Sequence, residues 1–141
     1  MNLLSTTAPK NFAVSSAQVA DLIAQACPAT DYRGKKVLLI VPDATRTAPV
    51  GLMFQTLFRQ IGAVTANFDI LIALGTHQPM SDAAICDRLE ISAAERASAY
   101  GSVRFFNHEW DNSRVSAFVS VPTLRSAAGL SHSWLKKRTL P

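Results

Sequence analysis

The chain has 141 residues, enough for one domain with a modest hydrophobic core. Its residues are 48% hydrophobic and 17% charged, which indicates a globular protein, and no apolar run approaches the roughly 20 residues that cross a bilayer. The net charge of +4 comes from residues 122–141, because residues 1–121 hold ten basic and all ten acidic side chains. A basic excess confined to one terminus does not indicate a nucleic-acid-binding face.

Hydrophobic periodicity predicts helices and strands in alternation along the chain. The helices are expected at about 15–27, 49–61, 81–89 and 91–99. The strands are expected at about 37–41, 67–74, 103–106 and 115–121. Ser15 or Ser16 caps the first helix and Ser81 the third, Pro49 suits the first turn of the second, and Gly62 ends it. Residues 31–34 are expected to form a turn, and no period is recognisable after Val121.

The order of the elements favours right-handed β-α-β crossovers and a parallel sheet. We therefore predict a single α/β domain with a Rossmann-like parallel sheet flanked by helices, over residues 1–121. Residues 122–141 are expected to be an irregular basic tail. The runs 37–41 and 70–74 are entirely apolar, as is typical of strands that are buried on both faces.

A polar cluster follows each of these apolar runs, at 42–46 and at 75–79. Parallel strands end at a common edge of the sheet, where ligands of open α/β sheets bind. Asp43, Thr45 and Arg46 are consistent with an anion or nucleotide site at the start of the helix 49–61, with Arg46 pairing the anion. The alternative is a helix-entry loop in which Asp43 and Thr45 accept backbone N–H groups and Arg46 is solvated.

His77 lies in the second cluster, between a glycine and a proline. A single loop histidine is most often structural or merely exposed, but this one falls at the corresponding end of a second strand. Because the ordinary pKa of histidine is about 6.5, imidazole is the natural proton acceptor at neutral pH. The sequence therefore predicts a base beside an anion site.

Other polar or reactive groups give weaker indications. Residues 107–111 hold one histidine and two carboxylates, which is weak spacing for a metal site, and we interpret them as a polar turn covered by Trp110. Cys27 and Cys86 lie in apolar helical patterns and are interpreted as buried hydrophobic residues, which fits a reducing, cytoplasmic setting. The start of the chain has no basic segment followed by an apolar core, so a signal peptide is not expected.

The segments Asp43-Ala-Thr-Arg46-Thr-Ala-Pro49 and Gly75-Thr-His77-Gln-Pro79-Met80, in this order, resemble the N-terminal domain of the nickel-dependent lactate racemase family. The resemblance covers about residues 35–121. Two departures stand out. Thr47 replaces the proline that follows the family's arginine, and Gln78 replaces the arginine that follows its histidine.

The resemblance implies a two-domain α/β enzyme that inverts the hydroxyl-bearing carbon of a 2-hydroxy acid. Such isomerases move hydride to and from a nickel-pincer nucleotide while a histidine takes the hydroxyl proton. By the same resemblance, His77 and Asp43 would be catalytic and Arg46 would bind the substrate carboxylate. Asp43, Thr45 and Gly75 would shape the cofactor side of the pocket.

The family's second histidine, its nickel-ligand histidine and its cofactor-tethering lysine lie beyond the matched segment, and we identify no metal ligand in this chain. We expect residues 122–141 to be off-family sequence. The resemblance then implies that a missing C-terminal domain or a partner chain completes the site, and that the isolated chain is inactive. The alternative function is a catalytically inactive anion- or nucleotide-binding fragment that needs a partner domain. No nucleic-acid or membrane partner is expected.

Overall fold

A computed structural model describes residues 4–8 and 10–108. Its helices are α1 (Ser16–Ala26), α2 (Ala29–Tyr32), α3 (Val50–Ile61), α4 (Asp82–Leu89) and α5 (Ala93–Ala97), with a 3₁₀ turn at Gly62–Val64. Its strands are β1 (Lys36–Pro42), β2 (Asn67–Ala73) and β3 (Arg104–Asn107). The strand predicted at 115–121, the tail 122–141 and Trp110 lie outside the described residues.

Serine caps determine where three of the helices begin. The Ser15 side chain accepts the backbone N–H of Gln18, and the Gln18 side chain accepts the N–H of Ser15 in return. Ser81 caps α4, and Ser92 caps α5 with Glu95 as its reciprocal partner. The helix predicted at 91–99 is therefore shorter, beginning after Ser92. The predicted turn at 31–34 is preceded by the short helix α2.

The three strands form one parallel sheet in the order β1-β2-β3, with helices between them, as predicted for an α/β fold. The register pairs Val37 with Phe68 and Leu39 with Ile70, and these side chains lie on the face that contacts the helices. At the carboxyl edge, Pro42 pairs with Ala73. The loops that follow β1 and β2 therefore leave the sheet side by side.

Phe54 is at the centre of the hydrophobic core. Its side chain is fully buried, and its ring lies 5.0–6.5 Å, centroid to centroid, from four other aromatic rings. These rings come from α3, β2, the segment after α5 and β3, and belong to Phe58, Phe68, Tyr100 and Phe105. Phe54 thus joins the central helix to two of the three strands. Among the described helices, none is long and apolar enough to cross a membrane.

Among residues 4–8 and 10–108, no element covers the other face of the sheet along β1, and we call it the open face. Its side chains are those of Leu38, Ile40, Asp69, Leu71, Ala73, Arg104 and Phe106. Leu38 is 44% exposed and Ile40 57% exposed, so the prediction that β1 is buried on both faces is wrong for the described part of the chain. The physical reason is that α3 and α4 pack on the opposite face with Ile70. A run of consecutive apolar residues does not show which of its two faces a helix covers.

Candidate active site

Asp43 and His77 meet at the carboxyl edge of the sheet. Each follows a strand, Asp43 directly after β1 and His77 four residues after the end of β2. Nδ1 of His77 lies 2.5 Å from Oδ2 of Asp43, which is a short hydrogen bond between groups 34 residues apart. The Asp43 side chain is 9% exposed and that of His77 57% exposed. The pair thus has a buried carboxylate and an accessible imidazole.

The loop after β1 is organised around the second oxygen of the same carboxylate. Oδ1 of Asp43 accepts hydrogen bonds from the backbone N–H of Thr45, at 3.1 Å, and from its hydroxyl, at 2.5 Å. The backbone bond is the one expected for a helix-entry loop, but α3 begins at Val50 and Asp43 does not cap it. The loop therefore aims the carboxylate at His77 instead of at the helix.

These hydrogen bonds hold the Asp43 carboxyl in its charged form. The Thr45 hydroxyl, followed by the His77 ring, lowers the pKa of Asp43 from 3.8 to about 2. An ionised carboxylate can only accept hydrogen bonds, so Nδ1 of His77 must carry the proton between them. In the neutral ring this leaves Nε2 as the proton acceptor.

All five site residues predicted from the sequence line one cleft of about 540 Å³. They are Asp43, Thr45, Arg46, Gly75 and His77. Arg46 is exposed and takes part in none of the salt bridges between described residues, so its charge is available to a ligand. Gly75 has a φ of +61°, a left-handed conformation that favours glycine, and it starts the turn that carries His77.

Two residues that hold the loops of this cleft received no site role from the sequence. Arg88, on α4, donates from Nε to the carbonyl of Pro42 and from Nη2 to the carbonyl of Arg46. Asn107, at the end of β3, forms two hydrogen bonds with the backbone of Met80. Both contacts join residues far apart in sequence, so no local pattern reports them. For Asn107 the sequence did offer one signal, the polar run 107–111 at the end of the third strand, but this run was interpreted as a turn.

The described residues do not fit a nickel site. No group of three or more His, Cys, Asp or Glu side chains within 4–8 and 10–108 is arranged to hold a metal ion. Both carboxylate oxygens of Asp43 are already engaged, and no described lysine lines the cleft. Of the residues 107–111, only Asn107 and His108 are described. Cys86 is buried, as predicted, whereas Cys27 is half-buried, and both are free thiols.

A carboxylate-bound histidine and an exposed arginine thus share the carboxyl edge of a parallel sheet, which is where ligands of open α/β sheets bind. A sequence model of a protein family, the lactate racemase N-terminal domain, matches residues 8–122 of this chain. The chain belongs to this family, as the sequence motifs predicted.

One solved structure with a similar fold is the crystal structure of a protein from Thermotoga maritima, a structural genomics target. It is 28% identical to this chain with a TM-score of 0.59, and the match covers 72% of this chain and 23% of the other. The chain thus matches about a quarter of that protein's length. A search of curated proteins finds no match.

Proposed function

We propose that this chain supplies the proton-accepting and carboxylate-binding half of a racemase or epimerase that acts on a 2-hydroxy acid. The observation that carries the proposal is the Asp43–His77 pair, which shares one cleft with Arg46, an arginine that forms no salt bridge with any described residue. Family membership supports a racemase-type reaction. The proposal adds the substrate class and the role of each residue.

His77 would take the proton of the substrate hydroxyl on Nε2. The charge that then develops on the ring is stabilised by the Asp43 carboxylate, which stays ionised and fixes the tautomer. Return of this proton to the substrate oxygen would restore the hydroxyl and regenerate His77, provided that hydride returns to the carbon from an acceptor that the rest of the enzyme would supply.

Arg46 would bind the substrate carboxylate. A guanidinium presents two parallel N–H groups to a carboxylate, which fixes orientation as well as adding affinity. The cleft wall beside it is apolar, formed by Ile40, Val41 and Ala73, which suits a short aliphatic chain on the substrate. Arg46, Asp43 and His77 thus provide one cation, one fixed anion and one titrating group.

We also propose that another domain or chain completes the site. The exposed Ile40 lines the cleft and also belongs to the open face, so a body that covers this face would close one side of the cleft. The nickel-pincer nucleotide that the family implies would supply the hydride acceptor. Since the described residues do not fit the metal, its ligands and its tether are assigned to that other body.

Ligand binding to the 141-residue chain tests the proposal. The probe is lactate, titrated by NMR, with lactamide, which lacks the carboxylate, and propionate, which lacks the hydroxyl. We expect lactate to shift the resonances of both loops, and Arg46→Gln to weaken its binding about tenfold or more, the worth of a charged hydrogen bond. Arg59→Gln, at an exposed arginine of α3 outside the cleft, is the matched control.

Unchanged lactate affinity in Arg46→Gln would refute the carboxylate role. Racemisation of lactate by the purified chain with added cofactor would refute the half-site, since the chain is expected to be inactive alone. The second candidate is an anion- or nucleotide-binding module without catalysis, and it is favoured only by Arg46, which is in no salt bridge within the part of the chain that the structure describes. It predicts that phosphate or a nucleotide binds more tightly than lactate and that His77→Ala leaves this affinity intact.

A further inference from the structure

We propose that Arg88 and Asn107 are positioning residues, which clamp the backbones of the two site loops and so bring Asp43 and His77 to hydrogen-bonding distance. This inference rests on the proposed function only in its consequence for catalysis. The geometry on which it depends is independent of any ligand.

Arg88 clamps the first part of the loop after β1 at two points. Nε lies 3.1 Å from the carbonyl oxygen of Pro42, the last residue of β1, and Nη2 lies 2.9 Å from that of Arg46. The loop's own backbone bond, from the N–H of Arg46 to the carbonyl of Asp43, is long at 3.4 Å. One rigid guanidinium therefore fixes the separation of the two carbonyls between which Asp43 and Thr45 lie.

Asn107 clamps the loop after β2 from the opposite side. Its Nδ2 donates to the carbonyl of Met80 at 2.9 Å, and its Oδ1 accepts the N–H of Met80 at 3.0 Å. The side-chain amide thus pairs with a peptide group as a neighbouring strand would. The near end of the loop is held by the bond from the N–H of His77 to the carbonyl of Leu74. His77 lies between these two fixed points.

The two clamps act on one contact. The Asp43–His77 bond joins loops from different strands, and a hydrogen bond of 2.5 Å is lost if either loop moves by about 1 Å. Misplacement of a reacting group by this amount costs about 100-fold in the rate of many enzymes. Neither clamp touches the accessible nitrogen of His77 through any hydrogen bond of the described residues, so each acts through the loop that it holds.

The test uses Arg88→Gln, Arg88→Lys, Asn107→Ala and Asn107→Asp in the full 141-residue chain. The first readout is the ring N–H proton resonance of His77, whose exchange with water reports the short bond to Asp43. The second is the titration of the Asp43 carboxyl, followed by ¹³C NMR. Neither readout changes with a loss of stability alone, as long as each variant keeps a native amide spectrum.

We expect Arg88→Gln and Asn107→Ala to raise the exchange rate of the ring proton about tenfold or more. Arg88→Gln should also move the pKa of Asp43 from about 2 towards 3.8, because Thr45 is no longer aligned with it. Arg88→Lys should not restore wild-type behaviour, since one ammonium group cannot replace the fork between two carbonyls. Asn107→Asp keeps the acceptor for Met80 but not the donor, and should give an intermediate exchange rate.

Arg59→Gln is the matched control, because Arg59 is exposed on α3 and forms none of the salt bridges between described residues. It should leave both readouts unchanged. Wild-type values for both readouts in natively folded Arg88→Lys and Asn107→Asp would overturn the positioning role. If the readouts shift as expected but lactate does not bind the wild-type chain, the clamps stand and the proposed function fails. If lactate binds the wild-type chain but the clamp variants leave both readouts unchanged, the proposed function stands and the positioning role fails.

Discussion

Replacing Asp43 by asparagine should change how the stability of the domain depends on pH in acid. The pKa of the Asp43 carboxyl is about 2 in the folded chain, against 3.8 for an unperturbed aspartate. Since the folded value is the lower one, the ionised carboxylate stabilises the folded state fully above about pH 4. This contribution is lost as the pH falls from about 4 to about 2.

The size of the effect follows from the two pKa values. At pH 3 the carboxyl is about 91% ionised in the folded chain and about 14% ionised in the unfolded chain. Folding therefore releases about 0.8 of a proton at this one site. In the Asp43→Asn variant this proton release is absent. The slope of the free energy of unfolding against pH is proportional to the number of protons released, so the slope of the variant should be smaller near pH 3.

Urea unfolding of both chains at intervals between pH 5 and pH 2.5 measures the two slopes. Glu95→Gln is the positive control, because the pKa of this carboxyl is also lowered, by the backbone N–H and hydroxyl of Ser92, and its removal should likewise reduce the slope in acid. Equal slopes for the wild-type and Asp43→Asn chains would refute the argument that Thr45 and His77 hold the Asp43 carboxylate.

Three other predictions concern the fold, and each is tested by the free energy of unfolding of the variants in urea. Phe54→Ala should lower it by about 3–5 kcal/mol, because the ring is fully buried, whereas Phe12→Ala, 74% exposed, should change it by less than about 0.5 kcal/mol. Gly75→Ala should cost about 1–2 kcal/mol from its φ of +61°, and Gly75→Asn less, since asparagine tolerates this conformation. Ser92→Ala should cost about 1 kcal/mol through the lost cap of α5, and an unchanged free energy of unfolding would contradict this.

Much of the fold could be predicted because its signals are local. Ser15 and Ser81 each start a helix through a bond to a residue three positions on, and such caps are visible in the sequence. The strands predicted at 37–41 and 67–74 begin and end within one residue of the observed β1 and β2. The side of β1 that is buried could not be predicted, because Val37 and Leu38 are chemically alike and only the position of α3 distinguishes them.

The sequence predicted which residues form the site but not the hydrogen bonds between them. The rule that parallel strands end at one edge brought Asp43 and His77 to the same place. It could not show that their side chains share a hydrogen bond, or that the Thr45 hydroxyl takes the other carboxylate oxygen. The role of Arg88 could not be predicted from the sequence. An arginine on a helix shows the same sequence pattern whether its guanidinium is solvated or bridges two distant carbonyls.

The open face has a thermodynamic consequence for the cleft. Ile40 belongs to both, so a body that settles on the open face also alters the surface that a ligand in the cleft meets. The two binding events are then linked, and linkage is reciprocal. If binding of another domain to the open face changes the affinity of the cleft for its ligand by some factor, the ligand changes the affinity of the open face for that domain by the same factor.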